Sequence, residues 1–279
     1  MTDRYNLRMS SDWRLLITPA ARGAWNMAVD EAILEHVGRK EALPTLRLYA
    51  WEPACLSLGH AQPYADVDIA CLRERGWDIV RRPTGGRAIL HTDELTYSVI
   101  AASDEPAVAG TLLESYNRLA AGLLHAVRAL GIPADMKTGP RAAADTSNPV
   151  CFEAPSAYEI TVEGRKLIGS AQARRREGVL QHGSLPLVGD LARITEALAF
   201  GPDGRRQEAA ARLLARATTV ESVLGHPVDW NEAAGAVRNG FESELDLHFT
   251  AQPLSERESR RADELVRDKY AHPSWTERV

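Results

Sequence analysis

The amino-acid sequence predicts an α+β (mixed α/β) fold, in which mainly antiparallel or mixed sheets are flanked by helices and a small helical segment follows at the C-terminal end. Three observations predict this fold. Short strand-like runs, with few helices between them, fill residues 13–187. After Gly189 the apolar residues follow helical spacing. Strands and helices do not alternate regularly, so a repeated βαβ architecture is not expected.

Strands in the first part of the chain are predicted by two patterns, alternation of apolar and polar side chains and short apolar runs that end at turn residues. The segments with one of these patterns are Trp13–Thr18, Leu46–Ala50, Cys55–Leu58, Trp77–Arg82, Arg87–His91, Glu94–Ala101, Tyr158–Val162, Arg165–Gln172 and Val179–Leu187. Glu163-Gly164 stands between two of them and predicts a tight hairpin turn. The polar segment Lys137–Pro149, which is interrupted by proline and glycine, predicts a loop.

Helices are predicted where the apolar residues recur at helical spacing. These segments are Trp25–Val37, Val67–Arg75, Thr111–Leu130, Leu191–Ala199, Gln207–Ala217, Trp230–Leu245 and Ser255–Tyr270. Thr111–Leu130 keeps one apolar face along its whole length, and Gly131 and Pro133 then stop it. We therefore expect a main domain over residues 1–225 and a short helical extension over residues 226–279 that packs on it.

Composition and charge exclude several classes of protein. The 279 residues are 44% hydrophobic and 25% charged, which is ordinary for a globular protein. The net charge of −5 argues against a general nucleic-acid binder, because such proteins usually carry a basic excess. The first residues lack an apolar signal region, and no run reaches the roughly 20 apolar residues needed to span a bilayer. A cytoplasmic protein without membrane attachment is expected.

The three cysteines, Cys55, Cys71 and Cys151, have no CxxC spacing and predict neither a disulfide framework nor a zinc site. Cys55 and Cys71 lie within apolar patterns, which favours buried side chains. Cys151 stands between a polar loop and a strand, where a thiol can be accessible and a nearby cation can favour the thiolate. The alternative for Cys151 is a small buried side chain, the commonest fate of a free cysteine.

The segment Arg81–His91 contains two adjacent glycines, Gly85 and Gly86, directly after a predicted strand. Adjacent glycines let the backbone approach a ligand closely and leave N–H groups available for it. The alternative is a tight hairpin that simply needs two glycines. The segment is not a P-loop, because it lacks the Gly-Lys-Ser/Thr ending.

Lys166 opens a strand that otherwise contains apolar and small residues. If this strand alternates regularly, Lys166 and Ile168 share one face. A lysine that points inward needs an anionic or strongly polar partner, whereas the alternative is an exposed lysine on an edge strand. His91 and His182 are likewise open between a role in chemistry and the role of ordinary hydrogen-bonded histidines.

In this order, these segments resemble the lipoate–protein ligase and octanoyltransferase family, which belongs with the biotin–protein ligases in one superfamily. The matching pieces are Trp25–Ala32, Arg81–Ser98, Tyr158–Gln172 with its sequence GRKLIGSAQ, and Leu180–Leu185. The Cys-Phe-Glu-Ala-Pro-Ser run at Cys151 is similar to the cysteine-dependent octanoyltransferases. Arg87 is a further similarity to the cysteine-dependent branch, because the ligases usually have a third glycine at this position. The resemblance implies a biotin–protein-ligase-like catalytic domain over residues 1–225.

The resemblance also implies a mechanism and its participants. Cys151 would take octanoyl from octanoyl-acyl carrier protein as a thioester, and Lys166 beside the carbonyl would stabilise the thiolate and the oxyanion and shuttle a proton. The acceptor would be a lysine of a lipoyl domain, such as that of the glycine-cleavage H protein. No ATP, other cofactor or metal is expected, because a thioester is already activated, and neither nucleic acid nor membrane is expected as a partner. The substrate-binding residues implied by position are Arg82, Gly85, Gly86, Arg87, His91, Gly169, Ser170, Ala171, His182 and Gly183.

Four alternatives predict different behaviour. An octanoyl amidotransferase would use one lipoyl domain as donor and another as acceptor. An ATP-dependent lipoate–protein ligase would need no cysteine. A non-catalytic lipoyl-domain binding protein would bind the acceptor without adding acyl mass. A thiol peptidase would need a base histidine paired with Cys151, and no spacing in the sequence identifies one.

Overall fold

The computed structural model of the chain describes residues 11–137, 159–201 and 205–279. Over these residues the strands form a large sheet of eight strands and a small sheet of three. The strands are β1 (Ser11–Ile17), β2 (Thr45–Tyr49), β3 (Cys55–Leu58), β4 (Asp78–Arg81), β5 (Ile89–His91), β6 (Glu94–Ala101), β7 (Asp135–Lys137), β8 (Glu159–Val162), β9 (Arg165–Arg175), β10 (Gly178–Pro186) and β11 (Leu247–Ala251).

The large sheet is mixed and has the strand order β11-β1-β2-β6-β10-β9-β8-β7. Strand β1 is parallel to both of its neighbours, and the other neighbouring strands are antiparallel. The small sheet has the order β4-β3-β5, with β3 parallel to β4 and antiparallel to β5. The predicted α+β class with mixed sheets is confirmed.

Helices cover both faces of the large sheet. Over the described residues they are α1 (Gly23–Gly38), α2 (Ile69–Arg75), α3 (Leu112–Ala129), α4 (Arg205–Arg216), α5 (Val220–Leu224), α6 (Trp230–Leu245), α7 (Glu256–Leu265) and α8 (Pro273–Thr276). Helices α3 and α6 pack on the face that carries Tyr97 and Val99. Helices α1 and α7 pack on the opposite face, which carries Ile100 and Leu180. This division follows from the alternation of side chains along β6 and β10.

Local signals placed most elements within a residue or two. Thr111 caps the N-terminus of helix α3. Its hydroxyl accepts a hydrogen bond from the backbone N–H of Glu114, and the carboxylate of Glu114 accepts one from the backbone N–H of Thr111. The predicted hairpin between β8 and β9 turns at Glu163 and Gly164, with φ values of 51° and 78°. Positive φ at both positions is the geometry of a type I′ hairpin turn.

Three predictions about elements were wrong. The C-terminal part is not wholly helical, because Leu247–Ala251 forms β11 beside β1. The last residue of β7 lies in the segment predicted to be a loop. The helix predicted at Leu191–Ala199 is only a 3₁₀ turn at Leu191–Thr195. β7 and β11 are short, and their partners are distant in sequence, so local periodicity carries little signal for them.

Buried polar contacts attach the C-terminal residues to the rest of the protein. Arg14 of β1 forms a two-bond ion pair with Glu258 of α7, and both side chains are buried. The buried guanidinium of Arg81 donates to the backbone oxygens of Trp275 and Thr276. Among the described residues, no helix has both the length and the apolar character needed to cross a membrane.

Candidate active site

A cavity lies between α1, the small sheet and strands β2, β6, β9 and β10 of the large sheet, with an empty volume of about 400 Å³. The described residues that line it are mostly apolar or small: Met27, Tyr49, Trp51, Ser57, Arg82, Ile89, His91, Thr96, Gly169, Ser170, Ala171, His182, Gly183 and Ser184. Strand pairing explains why these segments meet. Ser184 is paired with both Thr96 of β6 and Gly169 of β9, and His182 is paired with Ala171.

Seven of the residues singled out as substrate-binding come together in this cavity, although they lie up to a hundred positions apart in the sequence. They are Arg82, His91, Gly169, Ser170, Ala171, His182 and Gly183. Ser170 is held by a hydrogen bond of 2.7 Å between its hydroxyl and that of Tyr97. The cavity therefore unites the β9 and β10 motifs with the segment that follows β4.

Gly85, Gly86 and Arg87 are not among the lining residues. They form a turn after β4 that packs closely on Gly59. A side chain at position 59 would collide with the backbone oxygen of Gly86. Arg82 holds the turn by donating hydrogen bonds to the backbone oxygens of Gly85 and Arg87 at 2.9 and 2.7 Å. Gly86 has a φ of 98°, which favours glycine, whereas the Cβ position of Gly85 has open space. Direct substrate contact by these three residues stays a prediction.

Lys166 is buried rather than exposed on an edge. Its Nζ lies 2.7 Å from Oε1 of Glu159, and both side chains are less than one-tenth exposed. Burial of an ammonium group is tolerated when a carboxylate of opposite charge accompanies it. The requirement for an anionic partner is therefore met by Glu159.

The face on which Lys166 lies differs from the expectation of regular alternation. The pairing runs Ile160 with Ile168 but Thr161 with Lys166, so Leu167 is an extra residue in β9 and forms a β-bulge. Ile160 and Thr161 are consecutive residues of β8, so their side chains point to opposite faces of the sheet. Their partners in β9, Ile168 and Lys166, therefore also lie on opposite faces. Ile168 packs on the α3 face. Lys166 consequently faces the side of the sheet that carries the cavity.

His91 is fixed by contacts on both ring nitrogens and on its ring face. Its Nδ1 lies 2.7 Å from Glu94 Oε1, and its Nε2 lies 2.8 Å from the hydroxyl of Ser57. The indole of Trp51 stacks on the imidazole at 4.0 Å between centroids and also donates to Thr96, whose hydroxyl donates to Glu94. Because a carboxylate can only accept, Nδ1 of His91 donates its proton to Glu94.

His182 lies above a buried charge network. Its Nε2 is 2.6 Å from the hydroxyl of Thr84, and its Nδ1 is 3.7 Å from Oδ2 of Asp30. Burial lowers the pKa of His182, so the imidazole is neutral. Burial alone would raise the pKa of Asp30, but the charge of Arg47 at 2.7 Å and hydrogen bonds, including one from Ser98, hold it below its ordinary value. An ionised carboxylate paired with the guanidinium of Arg47 thus lies next to His182, which lines the cavity.

Cys151, the predicted nucleophile, lies outside the described residues. Cys55 is buried, and burial raises the pKa of its thiol well above the ordinary value. Cys71 is half-buried on α2, and burial raises its pKa as well. Neither of these two thiols is suited to act as a thiolate near neutral pH.

Sequence patterns did not single out five residues that the structure brings to this region. Asp30 stands among the mainly apolar buried residues of α1, Glu94 follows His91 by three residues, and Ser184 closes the Gln-His-Gly-Ser motif, so each had a weak local signal. Ser57 and Glu159 had none, because their partners are set by strand pairing. Within the described ranges, no three His, Cys, Asp or Glu side chains are arranged to hold a metal ion.

Comparison with known proteins identifies the relatives of this chain. Residues 22–242 match the family model of the lipoyl protein ligase A/B catalytic domain. A protein of Symbiobacterium thermophilum named octanoyltransferase LipM is 42% identical over 97% of this chain and 100% of its own length. A protein of Moorella thermoacetica with the same name is 41% identical over 95% of this chain and 98% of its own.

Solved structures support the same relationship. A lipoate-protein ligase A bound with ATP superimposes with a TM-score of 0.75 at 26% identity, covering 96% of this chain and 99% of the other. A bipartite lipoate protein ligase from Thermoplasma acidophilum has a TM-score of 0.79 at 23% identity over 96% of each chain, which establishes the shared fold. The curated relatives are acyltransferases that match this chain along nearly its whole length, and this chain is an acyltransferase as well. It belongs to the lipoyl protein ligase A/B catalytic-domain family.

Proposed function

We propose that this acyltransferase moves an octanoyl group from octanoyl-acyl carrier protein, through a thioester on Cys151, to a lysine of a lipoyl domain such as that of the glycine-cleavage H protein. The observation that carries the proposal is the ion pair of Lys166 and Glu159 on the same sheet face as a mostly apolar cavity. The names of relatives about 40% identical support octanoyl as the acyl group.

The first half-reaction is a thioester exchange. The thiolate of Cys151 adds to the carbonyl carbon of the donor, and the carbonyl π electrons move onto oxygen. When the carbonyl re-forms, the bond from carbon to the carrier sulfur breaks. The departing thiolate takes a proton from the ammonium of Lys166, which leaves octanoyl on Cys151 and a neutral amine at residue 166.

The second half-reaction restores the starting state. The acceptor lysine enters as a neutral amine and attacks the thioester carbonyl. Its nitrogen gives a proton to the neutral amine of Lys166, and the bond from carbon to the sulfur of Cys151 breaks. An amide, a thiolate and an ammonium result, and an ammonium near a thiolate favours its ionised form. Glu159 is placed to accompany the ammonium whenever it is charged.

The proposed reaction requires no nucleotide. Thioester exchange is nearly balanced in free energy and transfer from a thioester to an amine is favourable, so activation by ATP is unnecessary. The lipoate-protein ligase bound with ATP shares the fold of this chain. The proposed difference in ATP requirement therefore rests on Cys151 and not on the fold. We expect full activity without ATP and magnesium. A ligase would need both, and it would stay active after Cys151→Ala.

Intact-mass spectrometry tests the proposal. Incubation with octanoyl-acyl carrier protein alone should add one octanoyl group that neutral hydroxylamine removes. The Cys151→Ala variant should stay unlabelled, whereas Cys71→Ala, which changes another cysteine that is not fully buried, should be labelled like the wild type. Lys166→Met should label at least roughly 100-fold more slowly, since it loses both the charge and the proton carrier.

The same assay separates the alternatives. Loading from an octanoylated lipoyl domain but not from the carrier protein would identify an amidotransferase. Tight binding of a lipoyl domain with no mass change on either protein would identify a binding protein. Transfer at the wild-type rate by a wild-type protein that never becomes labelled would contradict the covalent mechanism.

A further inference from the structure

Ser184 presents an unsatisfied hydroxyl to the cavity. Its side chain is fully buried and lines the cavity, and its Oγ has no hydrogen-bond partner among the described residues. A buried hydroxyl without a partner destabilises the folded state, because it has lost its bonds to water without replacement. A donor kept at this cost in a mostly apolar cavity indicates that a ligand supplies the acceptor.

The neighbouring polar groups on the same sheet face are already engaged. Thr96, directly beside Ser184 on β6, donates its hydroxyl to Glu94 and accepts from Trp51. On the other side, β9 has Gly169, which has no side chain. Among Thr96, Ser184 and Gly169, which lie side by side on three strands, Ser184 therefore has the hydroxyl that is available to a ligand.

The position of Ser184 relative to Lys166 fits the carbonyl end of an acyl group. Lys166 precedes Gly169 by three residues on β9, which is about 10 Å along a strand. The bulge at Leu167 turns Lys166 to the face of Ser184, and the length of the lysine side chain can shorten that separation. An acyl chain in the apolar part of the cavity, with its carbonyl directed at Lys166, has its polar end next to Ser184.

We propose that Ser184 donates a hydrogen bond to the carbonyl oxygen of the bound acyl thioester and to the oxyanion that forms when a nucleophile adds to that carbon. This inference rests on the proposed function. The Ser184 proton stays on Oγ throughout: the carbonyl π electrons move to oxygen as the nucleophile bonds to carbon, and return as the thiolate leaves. The hydrogen bond strengthens as negative charge develops, so it lowers the barrier of both half-reactions.

Substitution of Ser184 tests the proposal because stability and rate are expected to change in opposite directions. Ser184→Ala removes an unsatisfied buried hydroxyl, so its Tm should equal or exceed that of the wild type. Its kcat for octanoyl loading and transfer should fall roughly 100-fold with KM nearly unchanged, as for loss of one oxyanion donor. Ser184→Thr keeps the hydroxyl and should recover most of the rate.

Thr218→Val is the matched control. The hydroxyl of Thr218 is also buried without a partner among the described residues, but Thr218 is not among the residues that line the cavity beside Ser184. The variant should gain stability in the same way and keep the wild-type rate. A Ser184→Ala variant that loads and transfers octanoyl at the wild-type rate would overturn the proposal, whereas a wild type that never loads octanoyl would overturn the proposed function instead.

The carbonyl stretching band of the octanoyl-enzyme gives a second readout. With octanoyl labelled with ¹³C at the carbonyl, the band should lie at lower frequency in the wild type and in Ser184→Thr than in an octanoyl thioester dissolved in apolar solvent. If Ser184→Ala does not fold, this comparison decides alone. A band at the frequency of the free thioester would contradict the hydrogen bond.

Discussion

Glu159 and Lys166 form a buried ion pair, and we expect replacement of either residue to change stability and activity. Both side chains are buried, so removal of the carboxylate leaves an ammonium without the charge that compensates its lost hydration. The carboxylate also holds Nζ at 2.7 Å and thereby fixes the direction in which the ammonium points. Glu159 is thus a positioning residue for Lys166 in the proposed mechanism.

We predict that Glu159→Gln lowers both stability and activity. The amide can still accept a hydrogen bond, but loss of a charge-assisted bond should lower the free energy of unfolding by about 2 kcal/mol. Because a displaced catalytic group loses much of its effect, kcat/KM should fall on the order of tenfold. Urea denaturation and steady-state transfer of octanoyl measure the two effects.

Glu163→Gln is the control for this prediction. Glu163 lies at the nearby hairpin turn with an 82% exposed side chain, and its ion-pair distance to Arg165 is 3.7 Å. An exposed pair of this kind contributes little, so neither stability nor rate should change measurably. Equal activity of Glu159→Gln and Glu163→Gln would show that the buried carboxylate does not position Lys166.

At the scale of elements, the β9–β10 ladder determines the shape of the cavity. Gly169 lies on the cavity face of β9, beside Ser184, and its lack of a side chain leaves space there. Gly183 has no room for a Cβ, because the backbone oxygen of Gly169, the hydroxyl of Ser170 and the ring of Tyr97 surround that position. Gly183 is therefore required by packing on the face of the sheet that carries Tyr97.

We predict that Gly183→Ala destabilises the protein by about 1–3 kcal/mol, the usual effect of overpacking, because Tyr97 and Gly169 lie on rigid strands. Octanoyl loading should also decline, since the displaced groups line or support the cavity. Thermal denaturation and the intact-mass assay measure these changes.

Gly235→Ala is the matched control for this change. Gly235 lies in α6 with open space around its Cβ position, so alanine should stabilise the helix by about 0.5–1 kcal/mol. A Gly183→Ala variant as stable as Gly235→Ala would refute the packing argument.

At the scale of the whole molecule, the last residues of the chain complete the fold. Strand β11 pairs along β1, and α6 packs against α3 with Phe241 in the same core cluster as Tyr97. The division into residues 1–225 and 226–279 consequently separates groups that share one sheet and one core.

We predict that a fragment of residues 1–225 does not fold. Without the remainder, β1 would expose an unpaired edge, α3 would expose its apolar face, and the buried guanidinium of Arg81 would lose the carbonyls of Trp275 and Thr276. Circular dichroism and one-dimensional proton NMR of the purified fragment measure this outcome, with the full chain under the same conditions as reference. Dispersed amide signals from the fragment would contradict it.

Local sequence patterns predicted much of the fold and some of the site. The hairpin at Glu163-Gly164 and the amphipathic helix at Thr111–Leu130 follow from interactions between residues close in sequence. The GRKLIGSAQ and Gln-His-Gly-Ser motifs supply six of the fourteen described residues that line the cavity. Cys151, which the resemblance named as the nucleophile, lies outside the described residues, so its role stays a prediction.

The sequence by itself determined where most strands, helices and turns form and which motifs resemble a known family, because those properties depend on periodicity and on residue types at short spacing. Only the tertiary structure decided that a bulge at Leu167 turns Lys166 to the sheet face that carries the cavity and that Glu159 accompanies it. Only strand pairing decided that Ser57 and Glu94 hold His91 and that Ser184 lacks a partner. Such contacts depend on register between distant strands and on burial, and neither leaves a regular trace in the local sequence.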